Sequence, residues 1–216
     1  MVDGPVVAVR GEAYREVAPE IAQFTVTATA RARDRETALT RLAERAAAVR
    51  VLLDGYGPAV DRRETGELRV RPESRRTGER VVAYHGSVAT TVTVSNLRAL
   101  GELMLRLADQ DQVEVAGPWW SLRPDSPVHR EARHAAIADA LLRAREYAEA
   151  LGARVTALIE LADTGVAERP MLARLAYAGG GGAEAGGPPE LELDPRPQPV
   201  QAAVQARFAI SEPVLG

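Results

Sequence analysis

Residues 21–30 read IAQFTVTATA. Phe24, Val26, Ala28 and Ala30 alternate with Thr25, Thr27 and Thr29, and a period of two is the signature of a strand with one face buried and one face wet. Threonine on the wet face suits a strand that is solvated or covered later. Immediately after it, Asp34 offers a helix N-cap, and Leu39, Leu42, Ala46, Val49 and Leu53 step by three and four along one apolar stripe, with Gly55 and Gly57 as the stop. A two-residue period followed by a helical one predicts a helix lying on a sheet.

The same grammar extends in both directions. A first strand is expected at Val6–Ala13, and a third carries Leu68 and Val70 and stops at Pro72. In a long fourth strand Val82, Tyr84, Gly86, Val88, Thr90, Val92 and Val94 share one face. Strands three and four, joined by the polar link ESRRTGE, form an antiparallel hairpin. The surrounding run RRETGELRVRPESRRTGER mixes arginine with glutamate, as in a solvated hairpin with cross-strand ion pairs.

Ser95 is expected to cap a short helix with Leu97, Leu100, Met104 and Leu107, and a strand follows in Gln112–Leu122. Ser126-Pro127 is a strong start signal for a second long helix. Ile137, Leu141, Ala144, Ala148 and Leu151 line its apolar side, and Gly152 ends it. Val155, Ala157, Ile159 and Leu161 alternate in the next strand, and Val200, Ala202, Val204, Ala206, Phe208 and Ile210 in the last. Residues 178–199 between them are rich in glycine and proline and read as a flexible loop. The fold class is therefore α+β: antiparallel sheets packed against two long helices and one short one. Strands, a glycine-ended helix and strands recur in both halves, so one reading divides the chain into lobes of about residues 1–94 and 95–216.

Composition narrows the function classes. The chain has 216 residues, 46% of them hydrophobic, enough to bury a real core. All 27 basic side chains are arginine, but 30 acidic residues are interleaved and the net charge is −3, which argues against nucleic acid as a partner. With no cysteine, disulfides and thiolate chemistry are excluded. No stretch approaches the ~18 apolar residues of a membrane span. The start, MVDGPVVAVRGEA, lacks the basic and apolar regions of a signal peptide. As written the chain reads as cytoplasmic, with an envelope location only if a leader had been removed.

HREARH at 129–134 is the most metal-like stretch. His129 and His134 are five apart, so on a helix they point about 140° away from each other, whereas a zinc pair needs a spacing of four. They read as solvated or capping histidines, and no metal, cofactor or catalytic residue is assigned. Trp119 and Trp120 are adjacent on a strand, so one ring enters the core and the other faces out as a candidate interface anchor.

These stretches together carry a likeness. VAVRGEA at Val7–Ala13, PEIA at Pro19–Ala22, Ala38-Leu39, Tyr84 with the following VATTVTV, WSL at Trp120–Leu122 and the long run EARHAAIADALLRAREYAEALGARVTALIEL at Glu131–Leu161 occur in the order seen in the SIMPL family. The chain resembles this group of mostly bacterial proteins, which includes immunogenic envelope proteins. It departs from the pattern in lacking a signal peptide, in having Glu73-Ser74 rather than an aromatic after Pro72, and in its glycine-rich loop.

The resemblance implies an α+β fold, ring-like or channel-like oligomers in some relatives, protein–protein interaction and tolerance of oxidative stress. It brings no agreed enzymatic activity. The expected function is thus a non-enzymatic, self-associating assembly or interaction protein, with an unknown protein as the other partner class. The competing reading is a hydrolase or small-ligand-binding protein whose site assembles from distant residues such as His85, His134 and Asp139.

Overall fold

The computed structural model describes residues 4–74, 81–167 and 191–214. They form two compact units: one holds the described residues of Met1–Ala18, Arg123–Gly179 and Pro197–Gly216, the other those of Pro19–Leu122 and Gly180–Arg196. The architecture is α+β, with two antiparallel sheets, two long helices and a short one.

The second unit contains β2 (Ile21–Ala32), α1 (Arg35–Gly55), β3 (Val60–Ser74), β4 (Val81–Val94), α2 (Leu100–Ala108) and β5 (Val113–Ser121), with strand order β3-β4-β2-β5. Phe24 pairs with Val92, Ala28 with Val88 and Ala30 with Gly86, so the apolar positions of β2 and β4 share one face, as their alternation requires. Helix α1 lies on that face. Its cap is formed by Asp34, whose side chain accepts from the Thr37 N–H at 2.7 Å, and that bond holds the carboxyl below its ordinary pKa.

The buried row of α1 is Ala38, Leu42, Val49 and Leu53. The expected Leu39 stands half a face away and is exposed, because the small Ala38 gives the closer approach to the sheet. Helix α2 closes the core. Leu100, Leu103, Met104 and Leu107 join Phe24, Val92, Val94 and Leu53, and Leu193, from the stretch read as loop, packs on the same cluster. The rest of that loop, to residue 190, lies outside the described residues.

Two local expectations are corrected here. Ser95 does not cap α2: its hydroxyl donates to Asp61 at 2.5 Å, and the helix starts at Leu100 behind Ala99, which supplies no side-chain cap. Strand β3 does not stop at Pro72 but runs to Ser74, because it is an edge strand, where a missing N–H is tolerated. The β3–β4 pairing is the expected antiparallel one, although residues 75–80 of its link lie outside the described set.

Among the described residues, the ion pairs of this region run both along the strand and between elements. Arg62–Glu64 and Arg69–Glu67 lie along β3 itself, Arg63 reaches Asp54 on α1 at 2.6 Å, and Arg31 of β2 spans β4 to hold Glu73 at 2.7 and 3.1 Å. Arg31 pushes the Glu73 carboxyl below its usual pKa, chiefly by these hydrogen bonds. A depressed folded pKa means the pair stabilises the fold above the ordinary carboxylate range and that this is lost as pH falls through the folded value. In urea titrations the wild type is therefore expected to exceed Glu73→Gln slightly at pH 7, with the gap closing as the pH falls below the ordinary carboxylate range. A gap that persists unchanged in acid would refute this.

The first unit contains β1 (Val6–Val17), α3 (Pro127–Ala150), β6 (Val155–Ala167) and β7 (Gln198–Ile210), in strand order β1-β7-β6. Helix α3 starts as the sequence signals, with Ser126 accepting from the Val128 N–H and Pro127 at the first helical position. It ends in a Schellman turn: Gly152 has φ +66°, its N–H bonds to Glu149 O at 2.9 Å, and the Ala153 N–H bonds to Ala148 O at 2.8 Å.

The buried row of α3 is Ala132, Ala136, Ala140, Ala144 and Ala148: the expected Ala144 and Ala148 lie on it, and the larger Ile137, Leu141 and Leu151 do not. Ile137 and Leu151 are exposed and flank it. The reason lies in β1, where Gly11 faces the helix so closely that a methyl group there would overlap the Ala136 carbonyl. Only an alanine row fits such an approach. Asp139 then clips the helix to the sheet edge, accepting from the Glu12 N–H and from Arg143 Nε, each at 2.9 Å, and Arg15–Glu131 at 2.8 Å adds a second clip.

Strand β6 departs most from its pattern. Register shifts between Val155 and Ala157, and between Leu158 and Glu160, place Leu158 opposite Phe208 and Leu161 opposite Ala206. Residues three apart cannot share a face in a regular strand; the bulge makes it so.

Candidate functional site

Among the described residues, strand β5 is an edge of the four-stranded sheet. Its register against β2 runs Thr25↔Ala116 and then Gln23↔Trp119, so two residues, Gly117 and Pro118, stand where one would fit. Gly117 has φ +128°, and a Cβ there would sit 2.9 Å from that of Phe24, so this position suits only glycine.

The extra residue decides which tryptophan turns inward. Trp120 falls opposite Ala22 and packs against the core, while Trp119 falls opposite Gln23 on the other face and is 53% exposed. Without the bulge the assignments would be reversed. Sequence alternation predicts one ring in and one out; only the register says which.

The face that Trp119 shares is polar, and Thr93 on it is buried. It carries Gln23, Thr25 and Thr27 of β2 with Thr91 and Thr93 of β4, and Gln23 Nε2 donates to Thr93 Oγ1 at 3.3 Å. An indole beside a row of hydroxyls combines apolar area with adaptable hydrogen bonding, as protein-recognition surfaces do.

The residues of the competing catalytic reading are placed as follows. His134 and Asp139 lie on α3, five residues apart, and therefore point to different sides of it. Asp139 is engaged with Glu12 and Arg143. His85 pairs in register with Arg31 and Arg71 on the four-stranded sheet. His129 and His134 share one unbroken helix, which keeps them from chelating one ion. Among the described residues no group of three or more histidine, aspartate or glutamate side chains is placed to hold a metal, and no helix is long and apolar enough to cross a membrane.

Fold and surface together define an α+β chain of helix-backed antiparallel sheets with an aromatic residue presented on a sheet edge. The chain belongs to the SIMPL family, described as a protein of unknown function (DUF541), whose sequence profile matches residues 7–208, nearly its whole length. No curated protein matches it.

Proposed function

We propose that this chain is a non-enzymatic interaction protein that self-associates through the β5 edge of its four-stranded sheet, with Trp119 as the anchor and Trp120 bracing it from the core. The observation that carries this reading is the 53% exposure of Trp119 on a strand that, among the described residues, has a neighbour on one side only. A tryptophan held in the open exposes a large apolar area, and burying it in a partner recovers that area together with the edge hydrogen bonds. A second copy is the partner proposed, in line with what the family likeness implies, and a role of the assembly in tolerance of oxidative stress rests on the same likeness.

Size-exclusion chromatography with light scattering tests it. The wild type is expected to run as an oligomer at micromolar concentration, and Trp119→Ser to shift it toward the protomer, weakening association about 30-fold or more. The same substitution is expected to lower survival of the host cell under peroxide. A wild type that stays monomeric throughout, or an oligomer indifferent to Trp119→Ser, would refute the proposal.

A further inference from the structure

Helix α2 carries a bare spot. Gly101 stands in its first turn and is buried, and a Cβ added there would lie 2.1 Å from the Leu191 carbonyl oxygen. The cover over that spot is thus the backbone of residues 191–196, a stretch without helix or strand that belongs to the same compact unit as α2. Backbone this close to backbone requires a glycine.

The covering segment is held at few points. Leu193 packs, half-buried, on the core cluster to which Leu100, Leu103 and Met104 belong. Leu191 is 42% exposed, and Glu192, Asp194 and Pro195 are exposed as well. Among the described residues, no hydrogen bond or ion pair engages residues 191–195. Lifting the segment away therefore forfeits apolar contact but breaks no ladder. Pro195 and Pro197 fix φ and lack an N–H, which keeps the stretch extended and out of a sheet.

These are properties of a bound peptide more than of a framework element: extended, proline-followed, seated by one apolar side chain and one close backbone contact. We infer that the α2 surface at Gly101 is a docking site for an extended, leucine-bearing peptide segment of a partner protein, and that residues 191–194 occupy it in the free chain as a stand-in which the partner displaces. The partner must bring an extended backbone, since Gly101 leaves room for a carbonyl and not for a side chain. It must also carry a leucine two residues beyond that carbonyl, as Leu193 follows Leu191. An acidic residue between them is tolerated, because Glu192 is exposed. The resident segment has the advantage of its covalent tether, so a partner prevails by adding contacts that the segment lacks. The site lies on α2 and does not rest on the β5 reading: loss of Trp119-dependent association would leave it untouched.

Calorimetric titration of the full chain with the end-blocked peptide LELDPRP, residues 191–197, tests the inference. Leu191→Ser with Leu193→Ser releases the resident segment. The released chain is expected to bind one peptide saturably. The wild type should bind it at least about tenfold more weakly, because its site is competent only in the fraction of molecules whose segment is lifted. Gly101→Ala in the released chain places a methyl where the peptide carbonyl must lie, and alanine, the best helix former, leaves α2 intact. Binding should then fall about tenfold or more.

No binding to the released chain, equal binding by the wild type, or indifference to Gly101→Ala would each overturn the inference. So would a released chain that no longer unfolds cooperatively, since the segment would then be part of the core and not a cover over it.

Discussion

Phe24→Ala is expected to destabilise the four-stranded unit by about 3–5 kcal/mol, the range for removing a buried aromatic from a core that cannot collapse around the gap. Phe24 is fully buried on β2, an inner strand with β4 on one side and β5 on the other. Its cluster draws on β4, α1 and α2, so no single element can shift to fill the cavity without breaking another contact. The Phe24 Cα and Cβ also lie close against Gly117, which limits relaxation from the β5 side. Urea denaturation followed by circular dichroism measures the loss, and amide exchange assigns it to β2, β4 and α2. A loss below about 1 kcal/mol would mean that the core is far more plastic than its packing indicates.

Gly11→Val should be comparably damaging for the opposite reason, excess volume. Overpacking ordinarily costs about 1–3 kcal/mol and occasionally more. Here the obstruction is backbone as well as side chain: a Cβ at position 11 would lie 2.5 Å from the Ala140 nitrogen and 2.7 Å from its Cβ, and would overlap the Ala136 carbonyl. No rotamer change relieves that, so α3 must lift from β1, and the Asp139 clip to the Glu12 N–H is expected to break with it. Even Gly11→Ala should lower the melting temperature clearly. A variant that melts like the wild type, with α3 amides equally protected, would show that the helix does not sit as closely as described.

Much of this architecture could be read before folding. The alternation in β2 and β4 identified their buried faces, Asp34 and Ser126 marked both long helix starts, and Gly152 marked a helix end, because each of these signals is local. What could not be read depends on distance between elements. The apolar stripe of α3 was expected on Ile137, Leu141, Ala144, Ala148 and Leu151; Ala144 and Ala148 are buried, but Ala132, Ala136 and Ala140 complete the row in place of the larger residues, since the constraint comes from Gly11, more than a hundred residues earlier.

Trp119 and Trp120 obeyed alternation, but its phase was set by one surplus residue in β5. The pairing of Leu158 with Leu161 depends on a bulge that no turn residue announces. Periodicity reports that a face exists; which residues approach a neighbour, and how closely, is decided by sequence far away.

The chain order of the two sheets has a consequence for biosynthesis. Every strand of the four-stranded sheet has been synthesised once Ser121 is in place, well before β6 and β7, so that sheet can assemble first during translation. The first strand, β1, has no partner until β7 emerges, because Val6 pairs with Ala209. Between the synthesis of β1 and that of β7, an amphipathic ribbon is left unmatched. Closing so long a span carries an entropic cost and slows the final step. That interval is thus when this protein is most exposed to aggregation, and a chaperone that shields β1 would be of greatest value then.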